Sequence, residues 1–191
     1  MRKVVLFMHV SLDGYVAGID GALDWISFDG ELQEKADEIV RNVGSPMYGR
    51  VTYQMMENYW PTVLKNPDSS KREVEHANWV ENVQKIVFSK TLQKAEWNNT
   101  LLIKDNIPEE LSKLKQQPGK DLVIFGSPSL SHYLMSLNLI DAYQLTINPV
   151  LLGKGIPLFK NIENKTPLKL AHSDKLKSGV LVNYYETRKD K

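Results

Sequence analysis

Asp121-Leu122-Val123-Ile124-Phe125-Gly126-Ser127-Pro128-Ser129-Leu130 is the stretch whose reading decides the fold. Leu122 to Phe125 form an unbroken apolar run, β-branched and aromatic in part, as in a strand buried on both faces. Gly126 follows, then Ser127-Pro128-Ser129 with helix-capping chemistry, then Leu130, Tyr133, Leu134 and Leu137 along the stripe of a helix. A buried strand running directly into a helix is the repeating unit of an open α/β sheet.

The same unit recurs upstream. Val4-Val5-Leu6-Phe7-Met8 reads as a central strand, and the turn signals Asp13-Gly14, Gly18, Asp20-Gly21 and Asp29-Gly30 make a long, shaped loop after it. From Glu31 the residues Leu32, Ala36, Ile39, Val40 and Val43 give a helical stripe that Gly44 is expected to end. Ser45 to Gly49 is a brief strand, followed by a helix capped by Gly49 or Thr52, with Val51, Met55, Met56 and Tyr59 on its core side and a stop at Trp60-Pro61. An exposed connection over 66–72 leads to a helix with Val74, Ala77, Val80 and Val83. Lys85 to Ser89 and Thr100 to Lys104 are strands, and Pro108 sits in the first turn of a helix that Pro118-Gly119 closes. Downstream the pattern changes: Ala142 to Leu152, Leu168 to Lys175 and Val180 to Thr187 are all strand-like, the last two joined by a tight turn at Ser178-Gly179. The expected fold is therefore α/β: one domain over 1–191, an open, mostly parallel mixed sheet flanked by helices, with an antiparallel hairpin at the C-terminus. Asp190-Lys191 reads as a frayed tail.

Composition narrows the function. A chain of 191 residues with 42% hydrophobic content suits one domain with its own core. A formal charge of +1 gives no global drive toward nucleic acid or an anionic membrane, so any anion site must be local. The absence of cysteine removes disulfides, thiolate metal sites and cysteine nucleophiles. The apolar stretch after Met1-Arg2-Lys3 is interrupted by His9 and runs into Ser11-Leu12-Asp13-Gly14, which is too short and polar for a secretory signal. No run approaches the roughly 18 apolar residues of a membrane span. A cytoplasmic protein with a small-molecule substrate, and with neither a nucleic-acid nor a membrane partner, is expected.

In an open α/β sheet, ligands collect at the carboxyl ends of strands, which directs attention to the loops after Val10, Tyr48, Ser89 and Phe125. Gly49-Arg50-Val51-Thr52-Tyr53 offers close backbone approach, a helix N-terminus, a hydroxyl and a bidentate cation, which together suit a phosphate. Taken alone it is equally a helix cap with a surface arginine. Ser89-Lys90-Thr91 adds two hydroxyls and a cation, and Gly126-Ser127-Pro128-Ser129-Leu130 adds a glycine entering a helix. None has the G-x-G-x-x-G spacing or the P-loop lysine. The conjunction of three such loops on one sheet edge is what favours a ligand.

These segments, with Ser11-Leu12-Asp13-Gly14-Tyr15-Val16-Ala17-Gly18, Asp24-Trp25, Tyr59-Trp60-Pro61 and Pro149 to Phe159, resemble the dihydrofolate reductase-like fold, in particular the reductase domain of riboflavin biosynthesis and its stand-alone relatives. The resemblance implies an NADPH-dependent reductase acting on a small heterocyclic, imine or carbonyl substrate. It implies that Gly49, Arg50, Thr52, Ser89 and Lys90 hold the adenosine side of the cofactor and its 2′-phosphate. Gly126, Ser127, Ser129 and Leu130 would hold the pyrophosphate, and Val10 and Ala17 would flank the nicotinamide. Substrate would lie between the loop from Asp13 to Trp25 and the first helix, with Ser11 and Trp25 on its side. With no cysteine, the chain lacks the zinc deaminase that often accompanies this domain. Asp29 or Glu31 is expected near the place of the substrate-facing carboxylate in the classical enzyme.

Hydride transfer needs no protein nucleophile, because the cofactor carries the chemistry. Asp13 and Asp24 are the candidate proton donors, although Asp-Gly is also a turn signal. Trp25 either stacks on a heterocycle or covers the core. His9, His76, His132 and His172 show no metal-ligand spacing, no metal is expected, and His9 stands apart because it lies near the carboxyl end of the first strand. Met55-Met56 reads as helix core. Pro149 to Phe159 either flanks the cleft or joins a dimer contact, and the strand from Ala142 suggests a homodimer. The alternative function is a binding module on the same fold that holds a nucleotide or metabolite without turnover.

Overall fold

The computed structural model describes residues 1–188; Asp190 and Lys191, the expected tail, lie outside the described residues. Along the chain come β1 (Val4–Ser11), β2 (Tyr15–Ala17), α1 (Gly30–Arg41), β3 (Val43–Gly49), α2 (Arg50–Val63) and α3 (Lys71–Asn82). They are followed by β4 (Lys85–Phe88), β5 (Thr100–Ile103), α4 (Ile107–Gln116), β6 (Asp121–Phe125), α5 (Pro128–Ser136), β7 (Ala142–Asn148), β8 (Ile156–Pro157), β9 (Leu168–Lys175) and β10 (Leu181–Thr187). Eight strands form one sheet in the order β5-β4-β3-β6-β1-β7-β10-β9, and β2 pairs with β8 in a small second sheet.

The continuous apolar run of β1 does place it centrally, because helices cover both faces and alternate residues serve both. Val4, Leu6, Met8 and Val10 join the cluster around Met47, Ile124, Leu134 and Leu158, while Val5 and Phe7 pack with Ile39 of α1 and Val123. β1 pairs in parallel with β6 only from Val4–Leu122 to Phe7–Phe125, whereas its parallel ladder with β7 continues to Ser11–Asn148. From Met8 onward, β1 and β6 therefore diverge and leave a fork at their carboxyl ends.

Several local expectations change. Asn42 caps α1 and Val43 opens β3, so Val43 belongs to a strand. Gly44 is not a helix stop: a Cβ there would lie 2.3 Å from the Lys120 carbonyl oxygen, so the glycine permits close packing between chain segments. Pro61 lies inside α2, which runs on to the buried Val63. Of the four residues expected on one side of α2, only Met56 packs inward: Val51, Met55 and Tyr59 are exposed, and the helix packs through Tyr53, Met56 and Trp60 onto Val80, Val87 and Trp97. The strand from Ala142 ends at Asn148 and runs parallel to β1; antiparallel pairing in the main sheet is that of β10 with β7 and with β9. β7 lies between β1 and β10, inside the sheet.

The hairpin from β9 to β10 turns at Gly179, whose φ of 88° requires the left-handed region. Within this hairpin Tyr184 faces His172 but Tyr185 faces Leu170, so Ala171 is a bulge in the edge strand. A second unanticipated feature is Lys85, fully buried at the start of β4. Its ammonium donates to the carbonyls of Val80, Glu81 and Val83 at 2.6, 3.2 and 3.1 Å and lies 4.6 Å from the Trp97 ring centroid. It thus closes the C-terminus of α3, and burial draws its pKa down to about 8. No helix among the described residues is long and apolar enough to cross a membrane.

Candidate functional site

The loops after β3, β4 and β6 converge on one cavity of about 600 Å³, lined by Gly49, Arg50, Thr52, Ser89, Lys90, Ser127, Ser129 and Leu130 among others. Parallel pairing of β3 with β4 and β6 sets their carboxyl ends side by side, which is why residues 40 to 80 positions apart meet. Gly49 joins two of these loops: its backbone N–H donates to Ser127 Oγ at 2.7 Å, and a Cβ there would make ordinary contact with that oxygen at 3.4 Å. Gly126 and Ser127 are both left-handed, with φ of 61° and 56°, so the chain turns sharply before α5.

α2 and α5 begin at this cavity without a side-chain cap, and α4, whose first residue Ile107 also lines it, lacks one too. Gly49 and Ser127, the N-cap residues of α2 and α5, make no capping hydrogen bond, so the first-turn N–H groups and the positive end of each dipole remain available. Away from the cavity the pattern reverses. Asp29 caps α1 through Leu32 N at 2.8 Å, and Ser70 with Glu73 forms a complete capping box on α3.

The cations fit the same purpose. Arg50 is exposed and donates to Gln54 Oε1 at 3.0 Å, Lys90 is exposed, and Lys104 donates to the Gln93 carbonyl at 3.2 Å. Among the described residues, none of the three forms a salt bridge with a carboxylate. Ser89 shapes its loop by accepting from Thr91 N and Leu92 N at 3.2 and 3.0 Å. Thr91, read with Ser89 and Lys90 from sequence, lines the cavity as well, and so do Lys104, Ile107 and Tyr133, which were not expected as site residues. The rule that found Lys90 would have found Lys104, which follows the carboxyl end of the adjacent strand β5.

The loop after β1 is built differently. Ser11 is buried, donates to Asp13 Oδ1 at 2.6 Å and accepts from Tyr15 N at 2.9 Å. Asp13 also accepts from Leu152 N at 3.1 Å and Gly153 N at 2.7 Å, joining segments 139 and 140 residues apart. The Ser11 hydroxyl first, then these amides, hold its carboxyl below the usual range. Asp13 thus ties the 150s loop to the start of the loop after β1. Asp24 is exposed in a turn, on the same loop as Trp25. Trp25 donates to the Ala22 carbonyl at 3.2 Å and packs on the cluster of Ile26, Leu32, Leu176 and Val180, which is the core-covering role. The alternative carboxylates are also engaged: Asp29 caps α1, and Glu31 accepts from Lys177 N at 2.7 Å and pairs with Lys177 Nζ at 2.9 Å.

Val10 and Ala17 are buried close to the fork, and Gly155 comes so near that a Cβ would lie 2.2 Å from the Ala17 carbonyl oxygen. His132 of α5 holds this flank in place through Nε2 and the carbonyls of Pro157 and Leu158, at 3.1 and 3.0 Å. The segment from Pro149 to Phe159 thus flanks the cleft. His76 is packed between Trp60 and Trp79, and no cluster of His, Asp and Glu among the described residues could hold a metal.

Comparison with known proteins agrees with this architecture. The uncharacterized protein YyaP of Bacillus subtilis (strain 168) is 34% identical over 184 residues, covering 96% of this chain and 94% of that protein. The crystal structure of a putative riboflavin biosynthesis protein from Shewanella sp. PV-4 superposes with a TM-score of 0.73 at 21% identity, covering 98% of this chain and all of that one. Dihydrofolate reductase from Enterococcus faecalis, solved with NADP(H) and RAB-propyl, superposes at 0.61 with 13% identity, covering 98% of this chain and 97% of the other. At such identities these two likenesses establish the fold, which is dihydrofolate reductase-like. The model of the RibD C-terminal domain matches residues 2–182, and the chain belongs to that family.

Proposed function

We propose that this chain is an NADPH-dependent reductase of the riboflavin-pathway type, delivering hydride to a small heterocyclic, imine or carbonyl substrate. One observation carries the reading: the uncapped helix N-termini and three cations without carboxylate partners surround a single cavity at the carboxyl ends of β3, β4 and β6. Such a surface leaves backbone donors and positive charge uncompensated within the protein, and a phosphate-bearing cofactor compensates both. Arg50, Thr52, Ser89 and Lys90 would hold the adenosine side, with Lys104 beside them. The backbone at Gly126, Ser127 and Ser129, continuing to Leu130, would hold the pyrophosphate, and Val10 and Ala17 would bound the nicotinamide. When bound, the cofactor supplies the hydride, and the protein supplies its position.

Thermal-shift titrations with NADPH and NADH test the reading. A ligand at 100 times its Kd adds about 2.7 kcal/mol of stability, so a clear rise in Tm is expected with NADPH and a smaller one with NADH at equal concentration. No shift with either would refute it. A second reading, a module that binds without turnover, is favoured by one observation: Asp13, Asp29 and Glu31 are all engaged within the protein. NADPH oxidation across a panel of oxo-heterocycles, quinonoid compounds and cyclic imines separates the two.

A further inference from the structure

His9 is a titratable side chain at the carboxyl end of β1 that the cofactor site does not use. It lies beyond Phe7, the last residue of β1 paired with β6, and therefore inside the fork. Strand alternation puts it on the same face as Val5 and Phe7, toward α1, whereas Met8 and Val10 point to the opposite layer. Its ring is fixed edge-on between Phe7 and Phe28, at centroid distances of 5.2 and 5.3 Å, and its Nδ1 lies 2.6 Å from Thr146 Oγ1.

The buried threonine decides the tautomer. Thr146 is fully buried, and its hydroxyl has no hydrogen-bond partner besides His9 Nδ1. If Nδ1 carried the proton, the hydroxyl would accept and its own hydrogen would be left without an acceptor in the interior, a cost the opposite arrangement avoids. Thr146 therefore donates to Nδ1, and the ring proton sits on Nε2. Nε2 has no protein partner, and because no buried side-chain nitrogen or oxygen among the described residues lacks one, this edge is open rather than sealed. The groups touching the ring are Phe7, Phe28 and Thr146, none charged, and burial alone draws its pKa down to about 4.

Resting on the reductase reading of the same cleft, we propose that His9 Nε2–H is a substrate-facing hydrogen-bond donor. It selects a neutral acceptor, a ring carbonyl oxygen or aza nitrogen, over a cationic amidine. The engaged carboxylates support the second half. Asp13, Asp29 and Glu31 accept from Gly153, Leu32 and Lys177, so these three carboxylates are committed within the protein rather than held free for an amidinium. A neutral donor on a fixed ring can polarise a carbonyl without becoming charged.

The experiment uses the full chain saturated with NADP+ and two probes on one skeleton, quinazoline-2,4-dione and quinazoline-2,4-diamine. Long-range 1H–15N spectra of the histidines should show His9 as the Nε2–H tautomer at pH 7, with Nε2 moving when the dione is added. The dione should bind about tenfold more tightly than the diamine, and His9→Phe, which keeps the ring packing, should remove that advantage while leaving the NADP+ Kd unchanged. An Nδ1–H tautomer overturns the proposal, as does a dione that fails to bind, a diamine that binds as tightly, or an unaltered preference in His9→Phe. Those outcomes leave the cofactor reading standing as long as NADP+ binds; loss of NADP+ binding in the native chain is the separate failure of that reading.

Discussion

Asp29 and Ser70 close the N-termini of α1 and α3 with their own side chains, whereas Gly49 and Ser127 leave those of α2 and α5 bare. The same contrast appears at a carboxyl terminus, where Lys85 is buried to close the end of α3. A cap contributes roughly 1 kcal/mol, and among the described residues the three helices that lack one, α2, α4 and α5, all begin at the same cavity, which marks where stability is set aside for a ligand. The closed ends belong to folding and the open ends to binding.

The largest test of this division is Lys85→Ala, which uncovers three helix carbonyls and leaves a cavity beside Trp97. A loss of about 3 kcal/mol or more is expected in urea unfolding, with the NADPH Kd of the folded protein unchanged. Next comes pH. His9 stays neutral to about pH 4 in the native state but titrates near 6.5 when unfolded, so its contribution is intact above pH 6.5 and is lost as pH falls toward 4. The loss should approach roughly 3 kcal/mol, and His9→Phe should flatten that part of the stability profile. His76, drawn down by burial as well, adds a smaller slope of the same sign.

At the open ends the effects move from stability to affinity. Arg50→Ala should weaken NADPH by about 10- to 100-fold and NADH by less, while the Tm of the unliganded protein stays within about a degree. Ser70→Ala should cost about 1 kcal/mol of stability with no change in NADPH Kd, the mirror image of the arginine variant. The smallest stability effect is expected from Gly49→Asp, which gives α2 the cap it lacks. A gain of a few tenths of a kcal/mol in the unliganded protein should accompany weaker NADPH binding, measured by calorimetry. A gain in both would show that the open terminus is not held for an anion.

Much of this division was legible in the residues. The runs in β1 and β6 marked central strands, and the rule that ligands gather at strand ends pointed to Arg50, Lys90 and Ser127, which line one cavity. What was missed has common physical causes. Val43 continues the helical period of α1 by coincidence, and Gly44 looks like a stop because its real partner, the Lys120 carbonyl, is remote in sequence. Val51, Met55 and Tyr59 make as good a stripe as Tyr53, Met56 and Trp60; the aromatic surface of α3 and β4 chooses between them. The direction of β7 was invisible because direction belongs to a pair of strands. Asp13 read as turn or acid because Leu152 and Gly153, which claim its carboxylate, arrive from the far end of the chain.

The bulge at Ala171 has a bearing on self-association. β9 is the long outer strand of the main sheet, and an unbroken row of unpaired backbone groups there would recruit the same strand of another molecule. The bulge interrupts that row, Lys169 and Lys175 place charge on either side of it, and the opposite border, β5, has only four residues. Neither border invites edge-to-edge polymerisation, so copies of this chain would have to meet through side chains rather than by extending the sheet.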